Sequence, residues 1–316
     1  MFWRKPAREE GISCVVRAKN EENWLRMSLL SIKDFADEII FVDNASSDRT
    51  LEIARSFQEE FCPAKMKIFP FPALDARRVK AADLANFAFR QASKSFVMKW
   101  DADFIGRTEG PFALEQLKML WYDLREKVDK YRISAPNLWG DHEHFREVWP
   151  GYPEFCFENY LWRNRGYHWE MDQDGHEAIR LRRHKREMRI GPRANPEDRR
   201  TYWLHLKSLE SEALIFFRVN MVFWWKYGLD HPRGGMTYDE WCARQWGSPD
   251  RAEQIRKMMD LSLGDGHLLR FTKIGGEWGD YPGLMRAYLE RPKYRIVYED
   301  GRPHHRETLP GVIPCL

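Results

Sequence analysis

Two periodicities alternate along the first 140 residues. Short apolar runs at Ile12–Arg17, Glu38–Val42, Lys67–Phe71 and Phe96–Trp100 read as strands. Between them, Glu21–Phe35 sets Leu25, Leu29 and Ile32 on one helical face. Thr50–Phe61 reads as a second helix, and Arg77–Ala92 spaces Ala81, Ala85, Ala88 and Ala92 as a third. Pro111 opens a fourth, since proline suits a first helical turn. Strands alternating with helices in this way imply right-handed crossovers and a mainly parallel α/β sheet sandwiched by helices. Ligands of such sheets bind past the carboxyl ends of the strands. Three segments directly follow predicted strands and are the candidate site: Arg17–Glu22, Asp43–Asp48 and Asp101–Asp103.

The second half is less regular. Residues 137–174 are rich in Trp, Gly and Pro and read as loops with short strands. Ser208–Tyr227 reads as one helix, buried or interfacial, because Arg218, Asn220 and Lys226 interrupt its apolar run. Beyond about 235 the chain reads as a mostly helical extension that frays into a Pro/Gly/His tail. The expected organisation is therefore a domain over 1–235, with a first half at 11–106 and a second at 107–235, followed by an extension over 236–316.

Composition narrows the function class. The chain has 316 residues, 51 Lys and Arg against 48 Asp and Glu, and 43% apolar residues, values of a globular protein rather than a polyanion binder. No helix-turn-helix, RRM or zinc-finger signature is present, so nucleic acid is not an expected partner. The five cysteines form no metal or CxxC spacing, and a reducing, cytoplasmic setting is expected, with peripheral membrane contact as the added option. No apolar run approaches the length of a transmembrane span or a secretory leader. Fourteen Trp are the anomaly, and Trp139, Trp149, Trp162 and Trp169 are either core or a stacking platform for sugar rings.

Chemistry concentrates at Lys99-Trp-Asp101-Ala-Asp103. A strand that delivers two carboxylates to a sheet edge suits a hard cation such as Mg²⁺ or Mn²⁺ that also holds phosphate oxygens. Asp172-Gln-Asp174 repeats the spacing with no strand before it. Asp43 and Asn44 either face a nucleobase or belong to a turn whose Ser47 or Asp48 caps the next helix; Asn20 is a cap candidate for the helix after the first strand. The glycine fingerprints of dinucleotide and P-loop sites are absent.

Taken in order, Gly11-Ile-Ser-Cys-Val-Val-Arg-Ala-Lys-Asn-Glu-Glu22, Ala36-Asp-Glu-Ile-Ile-Phe-Val-Asp-Asn-Ala-Ser-Ser-Asp-Arg-Thr50, Ala82-Asp-Leu-Ala-Asn-Phe-Ala88 and Lys99-Trp-Asp-Ala-Asp103 resemble the family 2 glycosyltransferases of the GT-A fold. The resemblance covers roughly residues 11–106. It implies that Arg17, Lys19, Glu21, Asp43 and Asn44 line the base and ribose of a nucleoside diphosphate sugar. It also implies that Asp101 faces the ribose or metal and that Asp103 binds a divalent cation, Mn²⁺ or Mg²⁺. Relatives often carry an acidic residue at Asn44 and Thr and Tyr at Arg17 and Lys19, so the base stays open.

In the second half, Trp169-Glu-Met-Asp-Gln-Asp-Gly-His176-Glu177 resembles the His-Glu segment of one branch of the family. That resemblance nominates Glu177 as general base, with Asp174 and Asp172 in reserve. It also makes His205 a further metal ligand, while Lys207 could neutralise the departing diphosphate. Arg180–Arg200 carries nine Lys or Arg against three acids, and Arg182 within it is a candidate for a donor or acceptor phosphate. The implied activity is metal-dependent, inverting transfer of a sugar to a glycan, lipid-linked or protein acceptor. The rivals are a sugar-phosphate nucleotidyltransferase, which would need a glycine-rich loop after the first strand, and a non-catalytic carbohydrate-binding protein on the same fold.

Overall fold

The structure, a computed structural model, describes residues 8–71, 81–120, 126–149, 152–153, 155–171, 177–181, 188–191, 201–227, 235–264, 268–270 and 280–309. Its first part follows the alternation of the sequence: β1 (Ile12–Ala18), α1 (Leu25–Ile32), β2 (Glu38–Asp43), α2 (Thr50–Phe61), β3 (Met66–Pro70), α3 (Ala81–Arg90) and β4 (Phe96–Asp101). These strands pair in parallel in the order β3-β2-β1-β4. Alternate residues of β1 serve opposite faces, as strand geometry requires. Ile12, Cys14 and Val16 pack with Leu25, Leu29 and Ile32 of α1 and with Ala54 and Phe57 of α2. Val15, with Ile40 and Val42, packs under Leu84, Ala85, Ala88 and Phe89 of α3. A strand buried on both faces has no polar side to show, so β1 reads as a nearly continuous apolar run.

Beyond β4 the sheet turns antiparallel. A short β5 (Phe104–Gly106) and a 3₁₀ turn at Leu114–Leu120 follow, tighter than the helix expected after Pro111. Then come β6 (Lys130–Trp139), β7 (His144–Trp149), β8 (Tyr152–Pro153), β9 (Phe155–Arg163), β10 (Tyr167–Met171) and β11 (Glu177–Leu181). The structure thus places several strands in the stretch expected to hold loops with short strands, and β9 runs to nine residues. β6 lies between β9 and a later strand, β12 (Trp203–Ser208), and partners on both sides override the weak local propensity of a segment broken by Pro136. β12 threads between β5, antiparallel, and β6, parallel.

The remaining elements are α4 (Glu212–Tyr227), α5 (Tyr238–Trp246), α6 (Arg251–Leu263), β13 (Leu268–Arg270), α7 (Arg286–Glu290) and the hairpin β14 (Tyr294–Glu299) with β15 (Arg302–Glu307). The fraying tail is thus a paired hairpin over part of its length. Its turn is Asp300-Gly301 with φ of 50° and 76°, the two positive values that an Asp-Gly hairpin turn uses. Packing does not break at 235. Trp24, Met27 and Ile105 share a core with Met285, Tyr288 and Tyr294, and Trp139 shares another with α4, α5, α6 and Ile296. No described helix is long and apolar enough to cross a membrane.

Gly140 marks the seam between sheet and hairpin. Its φ is +75°, and a Cβ there would stand 2.6 Å from Ile296 Cδ1. Left-handed backbone and overpacking both penalise a side chain. Gly140→Ala should lower stability by about 2–4 kcal/mol in urea unfolding; a loss below about 0.5 kcal/mol would mean the hairpin is not seated there.

Candidate active site

Register places the predicted segments together. Arg17 stands opposite both Val42 and Asp101, and Ala18 stands opposite Asp43, so β1, β2 and β4 end side by side. Side chains then stitch the first two loops. Asn20 N donates to Ser46 Oγ (3.0 Å), Ser47 N to Asn20 Oδ1 (2.8 Å) and Glu21 N to Thr50 Oγ1 (2.7 Å). Asn20 therefore caps the neighbouring loop rather than α1, whose N-cap is Trp24 without a side-chain bond. Asp48 does act at the start of α2, accepting from Thr50 N at 2.9 Å and from Glu22 N at 3.1 Å.

Lys19 Nζ donates to the carbonyls of Asn44 (3.3 Å) and Ala45 (3.0 Å), and the Arg17 guanidinium lies 5.7 Å from the Phe89 ring centroid. The buried Asp43 carboxylate accepts from Ser46 N at 3.2 Å. Asn44 is buried, and its Oδ1 has no hydrogen-bond partner among the described residues. An orphaned buried acceptor costs of the order of 1–3 kcal/mol, which a ligand donor would recover. Asn20 and Ala45 hold φ of 55° and 52°, so backbone strain concentrates on these two loops.

The metal motif meets the later half of the chain at Asp103. Because β12 is inserted between β5 and β6, His205 pairs with Phe104 on one side and Asn137 on the other. His205 Nε2 lies 3.4 Å from Asp103 Oδ2, and His205 Nδ1 lies 2.7 Å from Asn137 Oδ1. With Asn137 Oδ1 against Nδ1, the ring is held so that Nε2 faces the carboxylate. Asp101 is about a quarter exposed, and its Oδ2 lies 3.7 Å from the buried Lys99 Nζ. Among the described residues, no three His, Cys, Asp or Glu side chains are already gathered to hold a metal ion. The Asp103–His205 pair is nonetheless chemically suited to one, with an oxygen and an imidazole nitrogen facing each other across a short gap.

Arg218 closes the cluster and was legible only as an interruption of an apolar helix. Its Nη2 lies 2.7 Å from Glu21 Oε2 and 3.8 Å from Glu210 Oε1 and donates to Asn20 O at 3.1 Å, while Nη1 lies 3.7 Å from Asp103 Oδ2. Glu21, expected to face a nucleotide, is turned to this guanidinium. Burial raises the Glu21 carboxyl well above the usual range, with Arg218 opposing. Burial also acts to raise Asp103, but His205 and Arg218 outweigh it and hold that group at about 2. Glu210 is pushed up to about 7 by burial, against the pull of Arg218 and of Asn23, whose Nδ2 donates to it at 2.5 Å.

Other nominated residues stand apart from this cluster or outside the described residues. Asp172, Asp174 and Arg182 lie outside them, and of Glu177 only the backbone is described, opposite Met171 at the start of β11. Lys207 is exposed two residues beyond His205 on β12. Of the two readings of the tryptophans, core packing holds for Trp139, Trp162 and Trp169, which are buried in core clusters, with Trp169 stacked on Phe89 at a centroid distance of 5.0 Å; the Trp149 side chain lies outside the described residues.

Glu210 generates a pH prediction. Its folded pKa is raised, so its contribution to stability is fully present below the unfolded value near 4.5 and is lost as pH rises through about 7. The loss amounts to roughly 3 kcal/mol. Glu210→Gln should remove this fall, so urea unfolding of variant and wild type should diverge between pH 5 and 8 in the variant's favour; parallel curves would contradict the assignment.

Comparison with known proteins agrees with the first half of the chain. Residues 13–108 match the family described as Glycosyl transferase family 2. Over 106 residues the chain is 36% identical to poly-β-1,6-N-acetyl-D-glucosamine synthase of Staphylococcus epidermidis, a stretch that is 33% of this chain and 24% of that protein. The chain thus spans about a quarter of the length of the curated relatives it matches. Among solved structures, S. aureus TarS 1-349 aligns with 81% of this chain and 74% of its own at 15% identity and a TM-score of 0.40. The mannosyltransferase PcManGT from Pyrobaculum calidifontis aligns with 41% of this chain and 36% of its own at 23% identity and a TM-score of 0.33. Through residues 13–108, which hold all three strand-end segments, this chain resembles the family 2 glycosyl transferases.

Proposed function

We propose that this chain is a divalent-metal-dependent glycosyltransferase that moves a sugar from a nucleoside diphosphate sugar to an acceptor hydroxyl, with inversion. The observation that carries this reading is the approach of His205 Nε2 to Asp103 Oδ2 at 3.4 Å, at the edge where the family-matched strands end. Asp103 and His205 would hold the cation, with Asp101 beside them. Bound there, Mn²⁺ or Mg²⁺ would supply Lewis-acid stabilisation of the departing diphosphate.

The chain's own residues do the rest. Asp43 and the orphaned Oδ1 of Asn44 accept hydrogen bonds from the base or ribose, and Lys19 keeps their loop in place. Glu177 takes the acceptor proton as the acceptor oxygen bonds to the anomeric carbon and the bond to the diphosphate breaks on the opposite face. Positive charge develops on the sugar ring in that transition state. Lys207 and Arg182 are the candidate cations for the phosphates. The acceptor is a glycan, a lipid-linked sugar or a protein hydroxyl, met in the cytoplasm or at a membrane surface. The name of the curated relative makes N-acetylglucosamine the first sugar to try.

Thermal unfolding with UDP, GDP, dTDP and CMP, each with and without Mn²⁺, tests this reading. One nucleotide at about 100 times its dissociation constant should add roughly 2.7 kcal/mol, and only with metal present. Asp103→Ala should abolish the effect and Glu177→Gln should keep it while losing turnover. If no nucleotide shifts the transition in either condition, the transferase reading fails.

A further inference from the structure

Arg218 sits where two halves of the chain meet. From α4 its guanidinium reaches Glu21 at the end of the first strand's loop, Glu210 ahead of α4 and Asp103 of the metal motif. The chain of contacts continues outward. Glu210 accepts from Asn23 Nδ2 at 2.5 Å, Asn23 Nδ2 lies 3.3 Å from Tyr294 Oη, and Asn23 Oδ1 accepts from Lys293 Nζ at 3.2 Å. Lys293 in turn lies 3.4 Å from Glu307 of β15. Asn23, Glu210 and Lys293 are all buried, so the contacts among them are not screened surface pairs, whereas the outermost one, to the exposed Glu307, reaches solvent. Trp24 reinforces the path, donating from Nε1 to Leu209 O at 2.9 Å and packing edge-on to Tyr288 at 5.0 Å.

Three carboxyl groups share one buried site, and each needs a cation or a donor to be held in a fixed position. Among the described residues, Arg218 is the guanidinium placed between Glu21, Glu210 and Asp103. Its fork meets different oxygens with different nitrogens, which a single ammonium cannot do. Asp103 offers the same Oδ2 to Arg218 and to His205, so the position of that oxygen depends on where the guanidinium stands.

We infer that Arg218 is a positioning residue for the metal motif, and that the Lys293–Tyr294 corner of the C-terminal segment acts on the same motif through Asn23 and Glu210. The inference rests on the metal-dependent reading proposed above. Arg218 orients Asp103 and the Glu21 loop without touching donor or acceptor. The C-terminal hairpin is then part of the machinery that sets cation affinity, rather than an appendage to it.

The probe is Mn²⁺ alone, titrated into the full chain and read as free ion by EPR. Wild type, Asp103→Ala, Arg218→Lys, Asn23→Ala and the Arg218→Lys/Asn23→Ala double variant are compared, with circular dichroism and thermal unfolding to confirm folding. Asp103→Ala should abolish tight binding. Arg218→Lys should weaken it about tenfold, the usual cost of losing a partner that orients a metal ligand. Asn23→Ala should weaken it severalfold, and the double variant should bind no worse than Arg218→Lys, since both act through one path. A merely structural role would lower the melting temperature of the variants and leave their Mn²⁺ affinity at the wild-type value, and that result overturns the inference while wild-type binding keeps the metal reading intact. Multiplicative losses in the double variant would overturn the shared path. Failure of wild type itself to bind Mn²⁺ would overturn the metal reading and this inference with it.

Discussion

A buried carboxylate must be given partners, and Asp103 is the point in this fold where that requirement is most severe. It is 6% exposed at the end of an apolar strand, where an unpaired charge would cost several kcal/mol. The partners come from far along the chain. His205 arrives because β12 inserts between β5 and β6, and Arg218 arrives because α4 follows β12 directly. The order of strands in the second half is what allows a two-residue acidic motif to become a three-dimensional site.

The same constraint explains why the sheet changes character. Four parallel strands suffice to align three loops at one edge, and their register sets Arg17, Val42 and Asp101 side by side. Parallel strands alone would leave those loops open to solvent on the far side of β4. The antiparallel strands, α4 and the C-terminal hairpin close that side, and they do so through buried polar contacts at Glu210, Asn23 and Asn137 as well as through apolar packing. Such polar contacts specify one arrangement more sharply than apolar packing does, because each misplaced donor leaves an unsatisfied group behind.

Much of the first half was legible in the sequence because local and global preferences agree there. β1, β2 and β4 each run one residue further than their apolar pattern, and α2 spans Thr50–Phe61 as its periodicity indicates. The long strands β6 and β9 were not legible as such, since the pairing that holds them comes from partners distant in sequence and the Gly and Pro of the segments around them suggest loops. The hairpin at Tyr294–Glu307 left a usable signal in Asp300-Gly301, which follows the β-branched and aromatic run Tyr294-Arg-Ile-Val-Tyr298. Arg218 also left one: a charge inside an apolar helix has to be paired or functional. What the sequence could not show is which carboxylates it meets. Asp101 and Asp103 were found by spacing, and their separate surroundings, one beside Lys99 and one beside His205, emerge only from the fold.

If Asp103 and His205 together hold a divalent cation, as proposed, Mn²⁺ bound to this chain carries a histidine nitrogen. Pulsed EPR on Mn²⁺-loaded protein grown with ¹⁵N-labelled histidine tests it most directly. A single directly bonded histidine nitrogen is expected, and it should disappear in His205→Gln. A Mn²⁺ spectrum with no histidine nitrogen, or one unchanged in that variant, would contradict it.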